Sequence, residues 1–188
     1  ETPWETGQRH PACVPCSPQD GAVPAACRGP GCGTGHDVRA LSTRENHVVG
    51  IDLAPLAIAK ANQVPKVGHE EYRLADLFAL PAEWTGHFDV VFEHTCFCAI
   101  DPARRGDYVD AIVRVLKSGG RFIAIFFLNP DVDDEGPPFP VSRDELEQRF
   151  GAAFTVESEW VPQRTHPGRE GRELMRTLRR AGETRPRK

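Results

Sequence analysis

Apolar positions along this chain fall into short blocks separated by polar, glycine-rich or proline-rich stretches, and the spacing inside each block sets the element it predicts. The most apolar block, Arg121-Phe122-Ile123-Ala124-Ile125-Phe126-Phe127-Leu128, has no polar interruption after Arg121. It reads as a strand covered on both faces, as does His47 to Asp52 around Val48-Val49-Gly50-Ile51. Phe88 to His94, preceded by Gly86, is another strand, and Glu71 to Leu74, running on to Asp76, is a short one. Helical spacing lies between them. Gly35 to Ser42 suits a short helix, and Pro55 at a first-turn position opens the run Leu56 to Asn62. Tyr108, Ile112, Val115 and Leu116 share one face of Asp107 to Lys117, which Ser118-Gly119-Gly120 closes.

Ala22 to Gly29 must be the strand that enters the first glycine loop, although it contains Pro24 and few branched residues, which makes it the poorest local fit in the chain. Beyond Leu128 the pattern changes. Pro130, Pro137, Pro138 and Pro140 surround the acidic loop Asp131, Asp133, Asp134 and Glu135, and Ser142 with Glu145 forms a capping box that opens a helix to Phe150. Phe154 to Val161 and Leu174 to Leu178 follow as strands joined by Pro162 to Gly171, a connection short enough for antiparallel pairing. The alternation predicts an α/β class: a doubly wound, mostly parallel seven-stranded sheet with helices on both faces, an antiparallel last strand, and ligands at the carboxyl ends of the strands. At 188 residues one domain is expected over residues 1–188, with a frayed tail at 181–188.

Composition narrows the function classes. The net charge is −4, yet nine Lys or Arg face three Glu between Arg164 and Lys188. No aromatic residues interleave with these arginines, so a solvated last strand is expected there and no nucleic-acid partner. No apolar run approaches the ~20 residues that span a bilayer, and Glu1-Thr2-Pro3-Trp4-Glu5 is not a signal segment, so a cytoplasmic monomer without a membrane partner is expected. The only methionine is Met175, so a further amino-terminal segment is expected to precede Glu1. Among the six cysteines, Cys13-Val14-Pro15-Cys16 has zinc-like spacing, but Cys27, Cys32, Cys96 and Cys98 supply no second pair at similar spacing. Reduced thiols and no metal are expected.

The chemistry concentrates in Gly29-Pro30-Gly31-Cys32-Gly33-Thr34-Gly35-His36-Asp37, followed by Asp52 at the end of a strand. Alternate glycines let the backbone turn tightly and approach a ligand, and an acid about 20 residues on suits a ribose hydroxyl. A dinucleotide fold wants its third glycine one position later, where His36 stands, and no Gly-x-x-x-x-Gly-Lys-Ser/Thr marks a P-loop. Gly-x-Gly-x-Gly with an acid after the second strand and another after the third is the arrangement of S-adenosylmethionine-dependent methyltransferases.

The loop from Pro30 to Asp37, Val49-Gly50-Ile51-Asp52 with Ala57-Ile58, Ala75-Asp76-Leu77-Phe78, Phe88-Asp89, Cys98-Ala99-Ile100-Asp101-Pro102 with Arg105 and Tyr108, and Gly136-Pro137-Pro138-Phe139 together resemble, in that order, the thiopurine S-methyltransferase family. That family includes thiol, halide and thiocyanate methyltransferases. The resemblance implies S-adenosylmethionine as cofactor and a set of site residues. Trp4 would sit in an amino-terminal cap, residues 1–20, that folds over the cofactor. Gly31, Gly33 and Gly35 would shape the loop beside its methionine part, Asp52 would accept from both ribose hydroxyls, and Asp76 with the backbone at Leu77 would meet the adenine. His94 stands where relatives often carry tyrosine and is expected at the cofactor, and Arg105 matches an arginine close to cofactor or substrate, with a solvated helix arginine as its other reading.

Methyl transfer from a sulfonium requires chiefly that the acceptor be held in line, so acid-base residues are dispensable for an acceptor that is already an anion. For a thiol, His94 or Glu93 could assist deprotonation. A small-molecule thiol or related sulfur nucleophile is therefore the expected acceptor. The alternatives are a halide or thiocyanate ion, and a cofactor-binding protein of the same fold without turnover.

Overall fold

The structure, a computed structural model, describes residues 7–11, 25–28, 31–42, 44–129, 131 and 135–182, of which 25–28 are described as backbone. Trp4, Cys13, Cys16, Gly29 and Pro30 lie outside the described residues, as does most of the expected cap. The elements are β1 (Ala25–Arg28), α1 (His36–Leu41), β2 (His47–Asp52), α2 (Pro55–Gln63), β3 (His69–Leu74), β4 (Phe88–His94), α3 (Arg105–Val115), β5 (Leu116–Phe127), α4 (Arg143–Phe150), β6 (Phe154–Trp160) and β7 (Glu173–Arg180). They build a seven-stranded sheet in the order β3-β2-β1-β4-β5-β7-β6, parallel from β3 through β5, with β7 antiparallel to both β5 and β6. No described helix is long and apolar enough to cross a membrane.

Period-two alternation within the buried strands serves two faces at once. Val49, Ile51, Phe88, Val91, Phe122, Ala124 and Phe126 pack with Tyr108, Ile112 and Val115 of α3 and Leu146 and Phe150 of α4. Val48, Val90, Phe92 and Ile125 point the other way, onto Val38 and Leu41 of α1 and Ile58 and Ala61 of α2. The chain therefore winds outward from β1 in both directions, and the divide lies between β1 and β4.

Four departures from the sequence pattern have local causes. β1 is described over Ala25–Arg28, and its weak strand composition is outweighed by its place between β2 and β4, which supply pairing on both edges. β3 starts earlier than expected, at His69, because buried Glu70 is fully engaged: its carboxylate accepts from the backbone of Val67 (2.7 Å) and Gly68 (2.9 Å) and from the Ser42 hydroxyl (2.8 Å). The helix expected to reach Lys117 ends at Val115. Leu116 then pairs with Phe88, and the register resumes at Val90 opposite Arg121 after an excursion through Gly119 at φ 74°.

The fourth concerns the basic carboxyl-terminal stretch, in which the arginines of β7 have partners within the fold. Arg176, nearly fully buried, binds Glu147 and Glu159, both at 2.6 Å, while Arg179 binds Glu157 and Arg180 reaches the Leu116 carbonyl. Acids on α4 and β6 thus absorb the charge of β7.

Candidate active site

The divide between β1 and β4 is where open α/β sheets form a crevice at the carboxyl ends of their strands. Gly31, Gly33 and Gly35 all take positive φ (90°, 53° and 82°), a region that costs any residue with a Cβ. The loop is pinned by Cys32 N–H donating to the Ile51 carbonyl (3.0 Å) and Gly35 N–H to the Cys32 carbonyl (2.9 Å). Its glycines divide the work. Gly31 is exposed, and among the described residues a Cβ there would meet only the Cys96 sulfur, 3.9 Å away, so the backbone borders open space on their side. Gly35 is buried, and a Cβ there would come within 2.8 Å of Tyr72 Cζ, so its missing side chain admits the β3 tyrosine.

Asp52 closes β2 against this loop: one carboxylate oxygen accepts from Gly33 N–H (2.8 Å) and the other from Ala54 N–H (2.8 Å), which ties the loop to the start of α2. On the neighbouring strand end Asp76 accepts from Phe78 N–H (2.9 Å), capping a single turn of 3-10 helix, Leu77–Ala79, whose Leu77 side chain enters the core. Ala75 N–H donates to the Asp52 carbonyl (3.1 Å), so the two acids stand on adjoining, hydrogen-bonded chain segments.

At the end of β4 the two expected catalytic residues point to opposite sides. Glu93 is buried and accepts from the backbone of Cys96 (3.0 Å) and Phe97 (3.2 Å) and from the Tyr108 hydroxyl (3.0 Å), so it holds the turn after β4 together. This buried carboxylate, after desolvation itself, helps to push the Tyr108 hydroxyl far above its ordinary range and the Cys98 thiol up to about 12. His94, on the other side, offers Nδ1 to the Asp37 carboxylate of α1 at 2.9 Å, and its side chain is only 8% exposed. Thr95, between His94 and the Cys96 turn, is the one described non-glycine residue with positive φ (52°).

His94 belongs to a buried group that sequence spacing gave no means of seeing. His10 Nε2 lies 2.6 Å from a Glu173 oxygen, and the His10 N–H donates to the second oxygen of Asp37 (2.6 Å). The His10 ring meets His94 edge-on at 4.7 Å, and His166 stacks on His94 at 5.7 Å. Arg169 donates to Glu173 (3.4 Å) and to the Thr95 hydroxyl (3.3 Å). Burial raises the Glu173 carboxyl, but His10, His94 and Arg169 outweigh it and hold it below the ordinary carboxylate value; burial, with His10 and Arg169, holds His166 below that of histidine.

The profile of the thiopurine S-methyltransferase (TPMT) family matches residues 1–177. The chain belongs to the thiopurine S-methyltransferase family. It is 33% identical over 155 residues to a probable thiol methyltransferase 2 of Arabidopsis thaliana, covering 78% of this chain and 66% of the relative. It is likewise 33% identical to thiocyanate methyltransferase 1 of the same plant, covering 78% and 65%. The chain thus spans slightly less than two thirds of the length of these curated relatives. Among solved structures, the N-methyltransferase NodS of Bradyrhizobium japonicum in complex with S-adenosyl-L-homocysteine superposes with a TM-score of 0.70 at 17% identity, covering 87% of this chain and 81% of that one, a likeness of fold.

In this family member Arg105 is not a solvated helix residue, the alternative its position in the sequence allowed. It is 1% exposed, donates from Nη1 to the Pro140 carbonyl (2.8 Å) and Glu145 (2.6 Å), and lies over the Phe97 ring at 4.7 Å. Its Nε and Nη2 have no hydrogen-bond partner among the described residues. The structure therefore gathers Gly31, Gly33, Asp52 and Asp76 along the strand ends. Arg105 and Glu93 lie behind the turn that follows β4, and His94 lies beneath His10.

Proposed function

We propose that this chain is an S-adenosylmethionine-dependent methyltransferase whose acceptor is a small thiol or related sulfur nucleophile. The observation that carries the reading is the meeting of an open, positive-φ glycine loop, a strand-end carboxylate bound to that loop, and the turn following β4. Two features support the fit to the cofactor. A side chain at Gly31 would fill space that the bare backbone leaves open beside Cys96. Each Asp52 oxygen has one backbone donor and keeps a further lone pair, the acceptor capacity a ribose diol needs.

When bound, S-adenosylmethionine supplies a methyl group already activated on a sulfonium. Gly31 and Gly33, both at positive φ, would lie beside its methionine portion, Gly35 sets the loop by packing on Tyr72, and Asp52 would accept from the ribose. Asp76 and the Leu77 backbone would meet the adenine. Arg105 and Glu93 hold the Pro140 segment and the Cys96–Phe97 turn that would wall the acceptor. His94 takes the proton of a thiol that arrives neutral, which matters because an ordinary thiol titrates near ~8.5 and is mostly protonated at neutral pH. The reading takes residues 1–188 as a single cytoplasmic domain acting as a monomer on a diffusible molecule.

A thiocyanate or halide acceptor is the second reading, favoured by the likeness to a thiocyanate methyltransferase. A headspace and mass-spectrometric screen offering hydrogen sulfide, methanethiol, an aromatic thiol, thiocyanate and iodide separates the two. Methylated thiols as the dominant products support the first, and methyl thiocyanate or methyl iodide alone supports the second. Binding of S-adenosylhomocysteine in a calorimeter with no product from any acceptor contradicts both.

A further inference from the structure

We propose that Asp37 is a positioning residue that fixes the ring of His94 in the tautomer able to take a proton from a thiol acceptor. The proposal rests on the thiol reading above and adds a residue that it does not use. Asp37 is buried on α1 and bridges two elements with its two oxygens: Oδ1 accepts from the His10 backbone N–H (2.6 Å), and Oδ2 faces His94 Nδ1 (2.9 Å). An ionised carboxylate can only accept, so the proton of a neutral His94 ring sits on Nδ1, and the lone pair that receives a proton sits on Nε2.

His94 Nε2 is buried, so the acceptor sulfur must be enclosed at the end of β4 to meet it. His94 is the last residue of β4 at the chain divide, and the strained Thr95 that follows it leads into the Cys96 turn beside the open Gly31. Non-glycine residues held at positive φ collect at functional sites, because the surrounding structure must over-determine them. Here Thr95 is held by its N–H to the Ile125 carbonyl (2.9 Å) and by Arg169 on its hydroxyl.

In the step assigned to the pair, the acceptor S–H bond breaks, its electron pair stays on sulfur, and the proton passes to His94 Nε2. The imidazolium so formed lies against the Asp37 carboxylate, and water later removes the proton. The groups facing His94 are Asp37 from α1, His10 from the amino-terminal segment, His166 and Arg169 from the connection before β7, and Glu173 at the start of β7. Of these, the carboxylate of Asp37 is the one placed on Nδ1.

Asp37→Asn tests the assignment. The amide oxygen can still accept from His10, but an amide N–H turned toward Nδ1 makes that nitrogen an acceptor and moves the ring proton to Nε2, the wrong-tautomer effect known from serine-protease triads. We expect turnover of an alkyl thiol at neutral pH to fall by about 10- to 100-fold, with a new dependence on pH that rises through the thiol's own pKa. The loss on thiocyanate, which has no proton to give, should be at least about ten-fold smaller. Equal losses on both acceptors, or no loss on the thiol, would overturn the proposal.

Nitrogen-15 NMR of the His94 ring in the cofactor-free wild-type protein gives an answer independent of turnover and of the variant's folding. A proton on Nδ1 supports the pair; a proton on Nε2 refutes it. If His94→Ala leaves thiol turnover unchanged while the wild-type ring carries its proton on Nδ1, the thiol-base reading of the site fails and the tautomer assignment stands.

Discussion

A single absent Cβ at Gly35 couples the glycine loop to the sheet, since the Tyr72 ring occupies the space a side chain would need. We expect Gly35→Ala to destabilise the fold by about 2–4 kcal/mol, combining the left-handed backbone penalty with overpacking, as read from denaturant unfolding. In the proposed reading Asp52 serves binding more than folding. Asp52→Ala removes the charged acceptor of Gly33 N–H and, on that reading, of the ribose, and S-adenosylhomocysteine affinity measured by calorimetry should drop by about 10- to 100-fold. Burial lowers the folded pKa of His166 below that of the unfolded chain. In the window between those two values the unfolded chain binds more protons, and stability must fall as pH drops from about 6.5 downward. His166→Gln should flatten this part of the stability profile in thermal melts taken across pH 5 to 7.

Elements with a strong period were legible from the chain alone. β2 and β4 keep the ends that their apolar runs predicted, and Ser142 caps α4 by accepting from Glu145 N–H at 3.2 Å as the capping box required. Ser142→Ala should cost about 1 kcal/mol in urea unfolding, with Glu145 still free to hold Arg105. The single-turn helices at Leu77–Ala79, Ala82–Trp84, Phe97–Ala99 and Pro102–Arg104 were invisible because three residues cannot display a helical period. The same limit explains the site. Asp52 and the glycine loop lie close in sequence and share a recognisable spacing, whereas His10 meets Glu173 across 163 positions and His94 meets Asp37 across 57. Such pairs exist only once β4, β7 and α1 are packed, so no local pattern announces them.

For the whole molecule, winding outward from β1 is what turns weak local signals into one site. The order β3-β2-β1-β4-β5-β7-β6 puts the ends of β1, β2, β3 and β4 side by side, so the loop, two acids and the His94 turn share one edge of the sheet. The antiparallel β7 brings Glu173 to that same edge, and its arginines are neutralised by α4 and β6 farther along. Membership of the thiopurine S-methyltransferase family and this assembled edge support the proposed function, transfer of a methyl group from S-adenosylmethionine to a sulfur acceptor. The most direct test is incubation of the protein with methyl-d3-labelled S-adenosylmethionine and a thiol, followed by mass spectrometry of the acceptor. The account predicts a thioether carrying the intact trideuterated methyl group, formed at a rate that collapses in Asp52→Ala. An acceptor that stays unlabelled while the wild-type protein binds the cofactor would contradict it.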